Sequence, residues 1–457
     1  MSIRVCINTQ TPPLEPIPGR SPMPGTPWRL GRDYRIPAGG VVPMMRALLD
    51  AGRRGGWIAP RPRWVSLGGP GIPDRLRLDE GIELETVDLP MADRKAYARF
   101  KEAIWRSFHG PRGFSPAVAD YPAFVRYSAA MALGLLTNVG ASDLFYINDF
   151  QQVLVGGLVG PAAPTLLRWH IPLEFRGYPE PVRLFFLKAM EGFDAIVVST
   201  RSALEDLVGA GFQGRAFQVY PYFDPRLQPR ASPKAVEALR TRYDLGEGPV
   251  VLAVGRLDPA KRQDLAIRAI ARVRRSFPEV KLLLVGGGSF STRGLGSSKA
   301  LAWRATLDRL VRTLRLSEQV VFTDSVPPET LRAAYEAADV FVHPAPYEGF
   351  GLVVVEAWWH GRPVVVSRGA GAAELVEDGY NGYVAHPRSA DALAARLLDL
   401  LRHPEAAARM GEAGRHTAAR CHVDRAAPRL KEIFEHTVER YGRPDRRPSR
   451  RKGREAP

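Results

Sequence analysis

Five short runs in the second half of the chain constrain the fold more than any other feature. They are Val250-Val251-Leu252-Ala253-Val254, Lys281-Leu282-Leu283-Leu284-Val285, Val320-Val321-Phe322, Val340-Phe341-Val342 and Pro363-Val364-Val365-Val366. Each is short and nearly free of polar residues, which is how strands buried on both faces of a parallel sheet read. Between the first two, Leu265, Ala269, Ile270 and Val273 recur at helical spacing. Strands alternating with helices predict an α/β architecture with a doubly wound parallel sheet. The first half alternates in the same way with more loop, its expected strands covering residues 3–8, 143–148, 165–169 and 195–199. Residues 221–233 separate the halves. Four prolines in those thirteen positions exclude a continuous helix or a central strand. Two Rossmann-like domains are therefore expected, 1–228 and 233–424. Their sheets would face a deep cleft at the carboxyl ends of the strands, where such sheets bind ligands.

Composition narrows the class. A chain of 457 residues has room for two large domains, and 45% hydrophobic with 25% charged residues is a soluble globular balance. The two cysteines, Cys6 and Cys421, exclude a disulfide framework and a cysteine-ligated zinc site, and they fit a cytoplasmic location. The N-terminus reads as a strand rather than a leader, and no stretch reads as a transmembrane segment. The net charge is +16, and residues 441–457 hold seven Arg/Lys against two acids. That end, 442–457 in particular, is expected to be a disordered basic tail. Such a tail can touch nucleic acid or anionic lipid. The plainer reading is a solvated arginine-rich end, and no nucleic-acid partner is expected.

Chemistry concentrates at two places just beyond strands. Glu348-Gly349-Phe350-Gly351-Leu352 leaves backbone amides bare where a loop enters a helix, a setting for binding anions or hydroxyls. Glu356 follows eight residues after Glu348, a little over two helical turns. Carboxylates suit hydroxyl recognition because each offers several acceptor sites. Upstream, Arg256 and Lys261 stand five residues apart on a turn that opens a helix, as two fixed cations for a diphosphate should. The run Val285-Gly286-Gly287-Gly288-Ser289 lacks Gly-Lys-Ser/Thr and is not a P-loop.

Gly-Arg-Leu-Asp-x-x-Lys, followed some ninety residues later by Glu-Gly-Phe-Gly-Leu-x-x-x-Glu-Ala, resembles the donor-binding domain of the group 1 retaining glycosyltransferases. The likeness covers roughly 248–410 and includes Gly-Arg-Pro-Val-Val-Val-Ser at 361–367 and Gly-Ala-Ala-Glu-Leu at 371–375. It implies the GT-B fold, with 233–424 as the nucleotide-sugar donor domain. The 1–228 domain would bind the acceptor and be completed by a C-terminal helix over 425–441, where Leu430, Ile433, Phe434 and Val438 recur at helical spacing. It also implies that Arg256 and Lys261 hold the donor diphosphate. Glu348 and the amides of Gly349, Phe350, Gly351 and Leu352 would bind donor-sugar hydroxyls and nearby phosphate, and Glu356 the ribose.

A second, patchier resemblance covers about 36–175. Gly39-Gly40 before a helix, Tyr97-x-x-Phe100, Ile104-Trp105-Arg106-Ser107-Phe108-His109, Tyr146-Ile147-Asn148-Asp149-Phe150 and His170-Ile171-Pro172-Leu173 are similar in order to the trehalose 6-phosphate synthases and related trehalose-forming transferases. This implies that Gly39 and Gly40 approach the donor diphosphate. Asp149, Tyr97 and Trp105 would line the acceptor pocket, and His170 would contact the donor sugar. Three departures stand out. Asn148 replaces a histidine, Phe150-Gln151 replaces Tyr-His, and Ile7-Asn8-Thr9-Gln10 stands where that family has a phosphate-binding arginine. Gln10 supplies no charge, so free glucose or another small polyol stays open beside a phosphorylated acceptor, as does a substitute arginine such as Arg20 or Arg35.

The expected reaction is transfer of a glycosyl unit, with retention, from UDP-, ADP- or GDP-glucose as co-substrate to a small sugar acceptor, giving trehalose or its phosphate. The catalytic set would be Arg256, Lys261, Glu348, His170 and Asp149. No metal and no cofactor are expected, since no Asp-x-Asp is present and the family needs no metal for transfer. A homodimer is left open. Three rivals stand beside this reading: a transferase acting on a lipid-linked or polysaccharide acceptor at a membrane surface, a nucleic-acid-binding protein working through the tail, and a catalytically silent regulatory relative, against which the intact Arg256, Lys261, Glu348 and Glu356 argue.

Overall fold

In a computed structural model of the chain, the described residues are 2–20, 22–23, 25–37, 39–110, 117–288, 296–386 and 388–441. The basic tail, 442–457, lies outside them. Two open sheets carry the structure. The first has eight strands in the order Ala216–Gln218, Ala195–Val198, Thr165–Arg168, Leu144–Asn148, Val5–Thr9, Arg63–Leu67, Glu83–Val87 and Arg75–Arg77. All neighbours are parallel except the edge pair, where Arg75–Arg77 runs antiparallel to Glu83–Val87. The second has six parallel strands: Val320–Asp324, Lys281–Val285, Val250–Val254, Val340–His343, Val364–Ser367 and Gly382–Ala385. Two doubly wound sheets facing a cleft make the GT-B arrangement.

Successive side chains on each strand enter opposite cores, as the period of two requires. In the first sheet Cys6, Val65, Phe145, Ile147, Leu167 and Ile196 face one core. Val5, Ile7, Trp64, Tyr146, Leu166 and Val197 face the other. The second sheet divides likewise, Val251, Leu282 and Val342 on one side and Leu252, Leu283 and Phe341 on the other. This two-sided burial is why the strands read as unbroken apolar runs. Arg63–Leu67 and Glu83–Val87 escape that reading because they lie toward the edge and mix charged with apolar residues. Gly382–Ala385 and Ala216–Gln218 are edge strands too short to carry a pattern.

The chain crosses between the sheets twice, side by side. Phe223 donates its amide to the Cys421 carbonyl at 3.0 Å, and Val423 returns a bond to the Phe223 carbonyl at 2.9 Å. The final helix, Val423–Tyr441, then lies on the first sheet. It buries Val423, Leu430, Ile433 and Phe434 in the same core as Ile7 and Tyr146, with the Phe434 ring 4.9 Å from that of Tyr146.

Candidate active site

The turn after strand Val250–Val254 is shaped locally. Asp258 caps it, its carboxylate accepting the Ala260 amide at 2.9 Å, and Pro259 takes the first turn position, where no amide is needed. Lys261 closes the turn and forms an ion pair with Glu348, both side chains largely buried. His343, at the end of strand Val340–His343, stands 3.8 Å from the same carboxylate oxygen. Burial alone would raise the Glu348 pKa. The Lys261 charge, helped by His343 and His109, outweighs it and holds the group at about 2. Burial lowers His343 to about 4, so near neutral pH the ring is uncharged and Lys261 carries the balancing charge.

The Glu348 loop is tied down by its backbone, the Glu348 amide bonding the Gly369 carbonyl and the Glu348 carbonyl the Gly371 amide. Gly351 caps helix Leu352–Trp359 at φ 94, a left-handed value that disfavours side chains. Among the described residues the amides of Gly349, Phe350, Gly351 and Leu352 donate to no backbone carbonyl. They remain available at a helix N-terminus. The Phe350 ring is buried in the core, so only its backbone faces the loop. Glu356 lies deeper in that helix and accepts the Tyr335 hydroxyl at 2.8 Å; burial raises its pKa.

The two halves meet at this loop. A Cβ on Gly349 would run into the carbonyl of His170, and one on Gly40 would come within 3.3 Å of the Leu352 side chain. Gly40 caps helix Val41–Arg54 and Gly39 precedes it at φ 125, so the Gly-Gly turn lies against the Glu348 loop. Nearby, Glu374 accepts the Arg201 amide at 3.0 Å and the Tyr220 hydroxyl at 2.8 Å. The cleft is closed.

From the first half, Asp149 follows strand Leu144–Asn148 with φ 77 and ψ 169, a conformation uncommon outside glycine. One of its carboxylate oxygens is buried with no partner among the described residues. Burial raises its pKa to about 6, against the pull of the Phe150 and His170 amides, the Gln151 side chain and the Lys101 charge. His170 is oriented by Asn148, 3.1 Å from its Nε2. The Asn148 amide nitrogen donates to the Asn8 and Tyr146 carbonyls, which turns its oxygen toward the ring. The histidine Nε2 is therefore the donor, and Nδ1 is left as an acceptor. Burial drives the His170 pKa well down, so the ring is neutral.

Helix Met91–His109 supplies the wall between these groups. Tyr97, Lys101, Trp105 and His109 recur every fourth residue, on a stripe that follows one face. Tyr97 is buried, stacked on Tyr127, with its hydroxyl donating to Gln10 at 3.0 Å. Gln10 thus stands beside Tyr97 with an amide and no charge. Arg35 does not replace the missing charge, because it is exposed and paired with Glu15. Trp105 stacks on His109 at 4.1 Å and holds Arg256 5.7 Å and Lys299 4.4 Å from its ring centre. Lys299 also bonds Glu102 at 2.9 Å and Asp258 at 2.8 Å, joining the halves. His109 donates Nδ1–H to the Trp105 carbonyl at 2.9 Å, leaving Nε2 as an acceptor. Burial holds its pKa at about 4, in the field of Glu348, Lys261 and Arg256.

Gly349 and His170, Gly40 and Leu352, and Arg256 and Trp105 thus come together between the two sheets, whereas Glu356 lies deeper against Tyr335 and Arg35 faces outward with Glu15. Four residues that bear on this junction were not assigned roles there: His109, His343, Lys101 and Lys299. The fourfold spacing on one helix could have pointed to His109 and Lys101. Among the described residues, no group of three His, Cys, Asp or Glu side chains is poised to hold a metal, and no helix is long and apolar enough to cross a membrane.

Residues 237–417 match the model of the glycosyl transferases group 1 family. The D-inositol 3-phosphate glycosyltransferase of Corynebacterium efficiens is 30% identical over 308 residues, covering 62% of this chain and 70% of that protein. The chain belongs to the group 1 glycosyl transferases. It is also 41% identical over 193 residues to a GDP-mannose-dependent alpha-(1-6)-phosphatidylinositol monomannoside mannosyltransferase of Mycolicibacterium smegmatis. That match takes in 41% of this chain and 47%, about half, of the relative's length. In overall shape it resembles an alpha,alpha-trehalose-phosphate synthase (UDP-forming) from Burkholderia xenovorans solved with glucose-6-phosphate. The TM-score is 0.75 at 18% identity, over 95% of this chain and all of that one.

Proposed function

We propose that this protein transfers a hexosyl unit, with retention, from a nucleotide-sugar to a hydroxyl of a small polyol. The observation that carries this reading is an opposition across a closed cleft. Lys261, Glu348 and bare loop amides stand on one side, and Asp149, His170 and His109 on the other. Separating an anionic diphosphate from a developing oxocarbenium ion needs fixed positive charge at the leaving group. Arg256 and Lys261 supply it. Glu348, ionised by its lysine, accepts donor-sugar hydroxyls, and Glu356 the ribose. Asp149 accepts a hydroxyl of the acceptor with its unpartnered oxygen. The leaving phosphate oxygen takes the acceptor's proton, as in the retaining transferases that the motifs resemble. Closure excludes water and protects the donor from hydrolysis.

Glucose carried on UDP, ADP or GDP, with glucose or its phosphate as acceptor, is the finer form of this reading, supported by the shape shared with trehalose-phosphate synthases. Such donors put the reaction in the cytoplasm. A second reading takes GDP-mannose as donor and a lipid-linked acceptor. It is favoured by the 41% identity to the mannosyltransferase over 193 residues. Titration calorimetry with UDP-, ADP- and GDP-glucose and GDP-mannose, then mass analysis of products from glucose, glucose 6-phosphate and lipid extract, separates the two. The first expects a water-soluble disaccharide. A product found only in the lipid fraction would reverse it, and binding of no nucleotide-sugar would end both.

A further inference from the structure

Glu374 belongs to the short turn Gly371–Leu375 in the second-sheet half, yet its carboxylate bonds the first-sheet half. Its two oxygens accept the Arg201 amide, at 3.0 and 3.1 Å, and one accepts the Ser202 amide at 3.5 Å. These amides open helix Arg201–Gly209. Thr200 caps that helix by accepting the Ala203 amide at 3.1 Å, which leaves the first two amides to a group from outside. A carboxylate suits the positive end of a helix dipole. A third donor comes from the segment that crosses between the sheets, the Tyr220 hydroxyl bonding Glu374 at 2.8 Å. Burial and this carboxylate push the Tyr220 pKa up to about 12, so the hydroxyl stays a donor near neutral pH.

The same turn is tied to the Glu348 loop. Glu348 donates its amide to the Gly369 carbonyl at 3.2 Å, Gly371 donates to the Glu348 carbonyl at 3.0 Å, and Ala372 to the Phe350 carbonyl at 2.8 Å. A Cβ on Gly371 would run into the Gly349 carbonyl and come 2.9 Å from the Thr200 methyl group. The Tyr220 ring lies 5.9 Å from that of Phe350, in the same loop. Loop, turn and the capped end of the first-half helix thus touch, and Glu374 supplies hydrogen bonds across their junction. Its side chain is exposed. Making and breaking such a bond costs little desolvation, which suits a contact remade at each closure.

Resting on the glycosyltransferase reading above, we propose that Glu374 is a positioning residue that makes closure of the cleft and placement of the Glu348 loop a single event. It touches neither substrate. When the helix end moves away, the turn and the loop amides lose their anchor on the first half.

The test compares full-length wild type with Glu374→Ala, Glu374→Gln and Tyr220→Phe. Small-angle scattering without ligand should give Glu374→Ala a larger radius of gyration than wild type, with Glu374→Gln, which keeps one acceptor oxygen, in between. Turnover is read as nucleoside diphosphate released from UDP-, ADP- and GDP-glucose and from GDP-mannose. For a donor the wild type consumes, Glu374→Ala should lower kcat roughly tenfold, the scale of hydrogen bonds to one charged group. Tyr220→Phe should lower it about threefold, and adding it to Glu374→Ala should change nothing further, because both act through one bond. Affinity for the matching nucleoside diphosphate, by calorimetry, should stay within twofold, since Arg256 and Lys261 hold it from one half alone. The proposal is overturned if Glu374→Ala keeps either the wild-type kcat or the wild-type scattering. It is also overturned if that variant loses nucleoside diphosphate binding along with kcat, which would make the carboxylate a prop of the loop fold. A wild type that consumes no donor and binds no nucleoside diphosphate would instead sink the transferase reading, and the scattering would still judge the latch.

Discussion

The two walls of the cleft hold their polar groups in opposite ways. On the second-sheet wall, Lys261 is matched by Glu348, His343 sits beside the same carboxylate, and Glu356 is held by Tyr335. On the first-sheet side, buried oxygens of Asn8, Asp149 and Gln152 have no partner among the described residues. The second wall pairs its buried carboxylates, although its loop amides and the His343 Nε2 stay unused. The first leaves a carboxylate oxygen without a hydrogen-bond partner among the described residues. Unpaired buried polar groups make a site reject ligands that cannot satisfy them, so under the proposed function the first-sheet wall is where acceptors would be told apart. The pKa directions carry the same contrast. The Lys261 charge lowers Glu348 against its burial, whereas burial raises Asp149 against the amides and charge around it.

The largest expected effect comes from breaking the matched wall. Lys261→Ala should lower turnover by at least about a hundredfold, the scale of one lost transition-state donor. It also strands the Glu348 carboxylate, so it should cost about 3 kcal/mol of stability. Adding Glu348→Gln removes the stranded charge. The double variant should recover most of the melting temperature and none of the turnover, by calorimetry and steady-state rates. A single variant with near-normal turnover, or a double variant that regains activity, would mean the pair is only structural.

The unmatched wall should respond with the opposite sign. Asp149→Asn removes a charge that folding does not compensate, so the variant should melt higher than wild type at pH 7. It should also lose roughly ten- to a hundredfold in kcat/KM for the acceptor, the worth of one hydrogen bond to a charged group. The pH dependence follows from the raised pKa. Relative to its ordinary value of 3.8, protonated Asp149 favours the folded state, and that contribution fades as pH rises through about 6. The advantage of Asp149→Asn should therefore be absent below pH 4 and full above pH 6. Glu348 behaves conversely: its contribution is present above its ordinary 4.5 and is lost as pH falls toward about 2. Melting curves of Asp149→Asn and Glu348→Gln from pH 3 to 8 should diverge. Parallel curves would erase the distinction between the walls.

The same contrast explains what could be read from the sequence. The matched wall is built from two contiguous motifs, each beyond a strand buried on both faces, so Arg256, Lys261, Glu348 and Glu356 announce themselves by local spacing. The unmatched wall gathers Gln10, Tyr97, Lys101, Asp149 and His170 from separate elements. Asp149 and His170 were visible as polar residues directly after strands. Asn148 looked like a departure; the structure gives it the task of turning His170. Lys101 looked like one more lysine on a charged helix, because only the tertiary packing buries it. His109 sat inside a quoted motif with no assigned role, since its neighbours Glu348 and Lys261 are more than 150 positions away in the chain. Strands such as Glu83–Val87 were lost for a similar reason: charged residues at a sheet edge carry no period of their own.

The smallest effect should come from the clasp that joins the walls. Lys299 bonds Glu102 and Asp258 and lies over Trp105, so Lys299→Met removes two partly exposed ion pairs and a cation–π contact. At about 0.2–1 kcal/mol for each ion pair, closure should weaken about two- to thirtyfold. The residue touches neither proposed substrate, so KM for donor and acceptor should rise together while kcat changes little. Salt should imitate the substitution in part, because partly exposed ion pairs weaken as ionic strength rises. The wild-type KM values should climb toward those of Lys299→Met as salt increases, and the variant should respond less. If only the acceptor KM moves, Lys299 acts on the acceptor side rather than at the hinge of closure. If the variant and the wild type share the same salt response, the clasp holds nothing.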